Sequence, residues 1–158
     1  MSVSRNSLLS YALRLLNIRE RFSGEIEKKL YQKAETLKIA DPVTLIDQII
    51  EDLKKDKFLD DQKLFSSFIN YQLTEKVRGP LHIKQSLVRR GVTRAAAEAN
   101  IRAFYDPQKE RLVLNRYLAR QSKSLDVKAK TRLIRRLLGR GFSYTSLRDI
   151  FDLSFPEE

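Results

Sequence analysis

Apolar residues in this chain recur at intervals of three and four, and no segment alternates apolar and polar residues with a period of two. Such spacing gathers the apolar side chains on one side of an α-helix and argues against half-buried strands. Nine helices follow from it. The first, over about 7–21, aligns Leu8, Leu9, Ala12, Leu15 and Leu16. The second opens at Ser23, whose hydroxyl can cap it, and carries Ile26, Leu30 and Tyr31. Asp41-Pro42 marks the third, with Asp as N-cap and Pro at the first helical position, ahead of Leu45, Ile46, Ile49, Ile50 and Leu53. The fourth follows Asp60-Asp61, either of which can cap it, and turns Leu64, Phe65, Phe68, Ile69 and Leu73 inward.

Gly79-Pro80 opens a fifth helix with Ile83, Leu87 and Val88 inward, and Gly91 ends it. Thr93 caps a sixth, bearing Ala96, Ala97, Ile101 and Phe104. Asp106-Pro107 starts a seventh, with Val113, Leu114, Tyr117 and Leu118. The eighth spans Val127 to Leu138 and stops at Gly139-Arg140-Gly141. Ser143 caps a ninth, with Leu147, Ile150 and Phe151. Phe58, Phe65, Phe68, Phe104, Tyr117 and Phe151 all sit at apolar spacing and read as core. Tyr71, Tyr105 and Tyr144 are freer.

The nine helices repeat with a period near 50 residues. A shift of 50 lays Ile83 on Leu133, Leu87 on Leu137, Gly91 on Gly141, Val92 on Phe142 and Thr93 on Ser143. A shift of 57 lays Ile26 on Ile83 and Leu30 on Leu87. Units this small bury little apolar surface alone, so neighbours should stack. The expected fold is all-α: three tandem three-helix repeats, over 1–57, 58–105 and 106–158, packed into an elongated, curved array.

Charge is distributed unevenly over this frame. Residues 76–140 hold eighteen Lys and Arg against four acids (Glu98, Asp106, Glu110, Asp126), a net of +14 where the whole chain carries +11. Residues 1–57 hold eleven bases and nine acids. Lys128, Arg132, Arg136 and Arg140 recur every fourth residue, with Arg135 beside them, next to the apolar row Ala129, Leu133, Leu137. Such a ridge presents cations about 6 Å apart, on the scale of phosphates along a strand. Lys109, Arg116, Arg120 and Lys123 form a second stripe. Lys76, Arg78, Lys84, Arg89, Arg90 and Arg94 surround the fifth helix. A polyanion is the partner this pattern fits.

Enzyme chemistry finds little purchase. There is no cysteine for a disulfide, a thiolate zinc site or a nucleophile. His82 is the single histidine, and it reads as structural. Asp60 and Asp61 read as caps rather than a magnesium site, and no glycine-rich phosphate loop is present. No cofactor or metal is expected. No run of eighteen apolar residues and no signal-like N-terminus occur, so the expectation is a cytoplasmic monomer away from membranes.

The ordered motifs Phe58-Leu59-Asp60-Asp61 and Lys76-x-x-Gly79-Pro80-x-x-Ile83-x-x-x-Leu87-x-x-x-Gly91-Val92 resemble the centre of the RecX family, small bacterial regulators of the RecA recombinase. Leu15-Leu16, Arg19, Phe22-Ser23 and Glu25-Ile26 resemble that family's opening motif, and Leu137-x-x-x-Gly141-Phe142-Ser143-Tyr144 its last repeat. Three places depart from the pattern: Leu64-Phe65, Gln72, and Ala34-Glu35 where a helix-ending glycine is expected. The resemblance implies three tandem three-helix repeats and no enzymatic activity. It also implies a protein that lies in the groove of the RecA–single-stranded DNA filament and inhibits filament extension, ATPase, strand exchange and SOS coprotease activity. Double-stranded DNA is a further ligand to consider. The residues assigned to DNA and the RecA filament are Lys76, Arg78, Lys84, Arg89, Arg90, Arg116, Arg120, Lys128, Arg132, Arg135, Arg136 and Arg140. The alternative is a stand-alone helix-turn-helix-like DNA- or RNA-binding protein.

Overall fold

The computed structural model describes residues 2–121 and 126–151, apart from the side chain of Ser2. Among them are nine helices and no strand: α1 (Ser2–Ile18), α2 (Ser23–Thr36), α3 (Pro42–Lys55), α4 (Asp61–Thr74), α5 (Pro80–Arg89), α6 (Arg94–Phe104), α7 (Pro107–Ala119), α8 (Val127–Gly139) and α9 (Tyr144–Phe151). None of the described helices is long and apolar enough to cross a membrane. The chain divides into two compact units. The first runs to Phe65 and includes Val88–Thr93; the second is Ser66–Leu87 with everything from Arg94 onward.

In the first unit α1, α2 and α3 pack on one another around Leu8, Ala12, Ile26, Leu30, Ala34, Ile46, Ile49, Ile50, Leu53 and Leu59. Phe22 is fully buried, its ring 4.7 Å from that of Phe65. α1 begins five residues before the expected start, and within that added stretch Arg5 pairs with Asp52 of α3 at 2.5 Å. It also ends earlier, at Ile18, and Phe22 is extended (φ −68, ψ 149) as the N-cap of α2. Ser23 is therefore the first helical residue rather than the cap. The cap comes from elsewhere: Asp61 accepts from the Ser23 backbone N–H at 2.8 Å and from its hydroxyl. Its neighbour Asp60 accepts from the Lys63 N–H at 3.1 Å and caps α4 itself. Each of the paired acids thus serves a different helix.

α2 also explains the missing glycine. Ala34 is fully buried, and the helix continues past it to Thr36. The left-handed residue comes later, at Lys38 (φ 53), with Lys38 N–H bonded to Glu35 O and Ile39 N–H to Ala34 O, both 3.0 Å. α3 ends the same way through Lys57 (φ 62). That turn points Leu59 inward (3 % exposed) and leaves Phe58 56 % exposed, against the expectation of a core phenylalanine. Val88 is likewise exposed, because Leu87 alone completes the inner stripe of α5 there.

The second unit buries Ile69, Leu73, Ile83, Leu87, Ala97, Val113, Leu114, Leu133, Leu137, Phe142 and Leu147. Asp106 caps α7 at the Gln108 N–H (2.8 Å), Asp126 caps α8 at the Ala129 N–H (2.7 Å), and Ser143 accepts from the Ser146 N–H (3.1 Å) ahead of α9. α9 packs on α7 and α8. Gly91 and Gly141 sit at φ +86 and +90, ending α5 and α8 as their sequence positions require.

Each unit contains one junction in which a helix start meets a left-handed turn. In the first, a Cβ on Gly24 would lie 2.7 Å from the Gly91 carbonyl oxygen. In the second, a Cβ on Gly79 would lie 2.3 Å from the Phe142 nitrogen. There the backbone also bonds directly, from Gly79 N–H to Arg140 O (2.8 Å) and from Leu81 N–H to Gly141 O (3.2 Å).

Candidate nucleic-acid interface

The proposed cations fall into two groups once their side chains are placed. The first group is held within the fold. Arg90 and Arg140 both precede a left-handed glycine, and both fold back on the chain. Arg90 donates to the Glu20 carbonyl (3.1 Å), lies 5.1 Å from the Phe22 ring centroid and faces Glu25 at 3.7 Å. Burial, together with the Arg19 charge, lowers its pKa, and Glu25 opposes that shift. Arg140 donates to the Lys76 carbonyl (3.0 Å) and the Val77 carbonyl (3.4 Å), 5.8 Å from the Tyr117 ring centroid. Lys84 is paired with Glu98 at 2.5 Å, and that bond holds the Glu98 carboxyl below its usual range. The Arg78 guanidinium faces the half-buried His82 ring, 3.1 Å from Nδ1. These four side chains act first as structural staples, because each has a geometry that only a folded partner supplies.

The second group points to solvent. Lys128, Arg132, Arg135 and Arg136 are exposed along α8, while Leu133, Ile134 and Leu137 bury its other side. Arg116 and Arg120 are exposed on α7, and Arg89 is exposed on α5. Lys76 is exposed, with its Nζ 5.6 Å from the Tyr71 ring centroid. Arg116 and Arg120 also border a cleft of about 160 Å³ shared with Thr74, Glu75, Val77, Val113 and Tyr117. Through Tyr117 and the 76–77 carbonyls, Arg140 ties the end of α8 to this cleft. The α7 pair and the α8 ridge therefore both belong to the second unit. Lys123, read as part of the α7 stripe, lies outside the described residues.

Sequence reasoning missed two features. Glu25 gathers Arg19 and Arg21, each at 2.6 Å, as well as Arg90; the i,i+4 spacing from Arg21 was its only local signal. Tyr105 is not a free tyrosine. It is half-buried and donates to Glu110, a carboxylate only 6 % exposed, and burial followed by that bond pushes its pKa well up. Tyr71 and Tyr144 are 46 % and 43 % exposed. Among the described residues, no group of three or more His, Cys, Asp and Glu is placed to hold a metal ion.

No family model matches the chain. The fold superposes on the crystal structure of RecX from Lactobacillus salivarius with a TM-score of 0.74 at 22 % identity, over 96 % of this chain and 97 % of that one. A second crystal structure of regulatory protein RecX gives 0.68 at 19 % identity, over 95 % and 74 %. The regulatory protein RecX of Streptococcus pneumoniae strain Hungary19A-6 is 26 % identical over 144 residues, 90 % of this chain. The likeness in sequence to these relatives, together with the shared fold, supports a RecX family assignment. It spans 55 % of the length of the curated RecX relatives it matches, such as those of Streptococcus pneumoniae strains Hungary19A-6 and 70585. A RecX assignment agrees with the motif order from Leu15 to Tyr144 and with the all-α fold.

Proposed function

We propose that this chain is a RecX-type regulator of RecA. It binds in the groove of the RecA–single-stranded DNA filament and inhibits filament extension, and with it ATP hydrolysis, strand exchange and SOS coprotease activity. The observation that carries the DNA side of this reading is the exposed cation set of the second unit: Arg116 and Arg120 on α7, and Lys128, Arg132, Arg135 and Arg136 on α8. None of these six takes part in an ion pair described within the chain. Phosphates would displace only solvent and counterions from them. Lys76, in the same unit, extends the surface. Arg78, Lys84 and Arg140 shape it from within.

In this reading the helices form three tandem repeats, 1–57, 58–105 and 106–158, that contact successive RecA protomers. The last two bring most of the positive charge to the groove, and the near-neutral first repeat meets protein. The chain acts by binding, and ATP is hydrolysed by RecA. The test is RecA's single-stranded-DNA-dependent ATP hydrolysis with this protein titrated in below stoichiometry. Inhibition, with RecA-dependent recruitment to the DNA, is expected. No effect at an excess of protein with DNA binding retained would favour the stand-alone nucleic-acid binder.

A further inference from the structure

We infer that the groove between α1 and the end of α2 receives an acidic, amphipathic segment of a partner protein. This deepens the reading above, on which it rests for the first unit's meeting protein rather than DNA. Val3, Asn6, Ser7, Ser10 and Arg14 follow one another at helical spacing along one side of α1. With Lys33 and Leu37 they line an open groove of about 480 Å³. No acid lines it.

The charge in this groove is arranged around one ring. Lys33 Nζ lies 5.6 Å from the Tyr11 centroid and Arg14 Cζ lies 6.0 Å from it. The ring's negative face attracts both cations but neutralises neither. Neither Arg14 nor Lys33 is among the ion pairs described in the chain, whereas Arg5, also on α1, is taken up by Asp52 at 2.5 Å. Two unneutralised cations gathered at one aromatic ring form a site for carboxylates. The Asn6 amide and the Ser7 and Ser10 hydroxyls stand alongside as further hydrogen-bond donors.

The occupant is a peptide segment rather than a nucleic-acid strand, for three reasons. Val3 is 77 % exposed and Leu37 42 % exposed, so the groove offers apolar anchors that a sugar-phosphate chain cannot use. Tyr11 has cations placed over it and is not presented to a base. Two cations also fall short of the row that a strand requires. A helix with carboxylates one turn apart and leucines beside them matches both features.

The test is fluorescence anisotropy with the full chain and three labelled probes. The first is a helical peptide of about sixteen residues carrying Glu at i and i+4 and Leu at i+3 and i+7. The second is its Gln counterpart, and the third is oligo-dT. Binding of the Glu peptide should fall about ten-fold or more in Arg14→Glu/Lys33→Glu, and the Gln peptide should bind as weakly as that. Oligo-dT binding should stay within about two-fold, since the phosphate contacts lie elsewhere. If charge reversal disturbs folding, Arg14→Gln/Lys33→Gln replaces it. Equal binding of the two peptides, or of wild type and variant to the Glu peptide, would overturn the inference. So would a parallel loss of oligo-dT binding, which would make the groove part of the nucleic-acid surface. The RecA ATPase assay reads the parent proposal separately: RecA inhibition that fails while the Glu peptide still binds through Arg14 and Lys33 defeats that proposal and leaves this one standing.

Discussion

The two glycine junctions are the same device built with different forces. Each sets a helix start against a left-handed turn, Gly24 against Gly91 and Gly79 against Gly141, and each is clasped by the arginine before the turn glycine. In the first unit the clasp is electrostatic. Asp61 caps Ser23, and Glu25 collects Arg19, Arg21 and Arg90. In the second unit it is made by the backbone, with Gly79 and Leu81 N–H groups bonded to the Arg140 and Gly141 carbonyls and Arg140 bonded to two more. The unit rich in exposed cations thus closes its junction through backbone hydrogen bonds and Arg140, while its α7 and α8 arginines stay exposed. The near-neutral unit spends arginines on its own fold.

The largest effects should come from the glycines themselves. Gly79→Ala sets a methyl 2.3 Å from one backbone atom and 2.4 Å from two others, and should cost about 3 kcal/mol. Gly24→Ala meets a single carbonyl at 2.7 Å and should cost about 1–2 kcal/mol. Urea denaturation of both variants orders the two junctions, and equal costs would remove the contrast.

Arginine truncation should reverse that order. Arg90→Ala leaves Glu25 short of a partner and uncovers Phe22, and should cost about 2–3 kcal/mol. Arg140→Ala gives up hydrogen bonds to two carbonyls and should cost about 1–2 kcal/mol. Raised salt should weaken wild type and narrow the gap between wild type and Arg90→Ala, with little change for Arg140→Ala.

The part-buried Glu25 and the buried Glu110 differ in the same sense. Glu25 is held by arginines, Glu110 by the phenol of Tyr105. Tyr105→Phe leaves the Glu110 carboxylate without that donor and should cost about 2 kcal/mol. The folded-state pKa of Tyr105 is raised, so its contribution is intact below the unfolded phenol pKa of about 10 and is lost as pH rises above it. An alkaline melt should show wild type losing stability in that range, and Tyr105→Phe losing less.

The smallest effect on stability should accompany the largest on binding. Arg132→Ala/Arg135→Ala/Arg136→Ala should leave the urea midpoint nearly unchanged, since all three are exposed. It should flatten the salt dependence of single-stranded DNA binding by about 0.7 per lost phosphate contact, about 2 in all. An unchanged slope would remove the α8 ridge from the DNA surface.

Much of this architecture was legible in the chain. Helical spacing, Pro42, Asp106-Pro107, Gly91 and Gly141 placed most helix boundaries, because prolines, caps and left-handed glycines are local requirements, although Asp41 stands at the N-cap of α3 without a side-chain cap bond. The side chains at the turns were not legible. Phe58 and Leu59 are adjacent and both apolar, and only the positive φ of Lys57 decides which one is buried. Arg136 and Arg140 look alike in a four-residue ladder. Yet Arg140 sits one step beyond the helix, where its guanidinium meets carbonyls from residues more than sixty positions earlier in the chain.

The sequence by itself determined the all-α class, the helix order, the recurring core positions and the concentration of positive charge after residue 76. These rest on periodicity and composition, which any single segment reveals. Only the tertiary structure decided that Asp61 caps a helix nearly forty residues away, that Arg90 and Arg140 turn inward, and that Arg14 and Lys33 share one tyrosine ring. Each of those depends on which distant atoms come within hydrogen-bonding or contact range, and a one-dimensional pattern does not carry those distances.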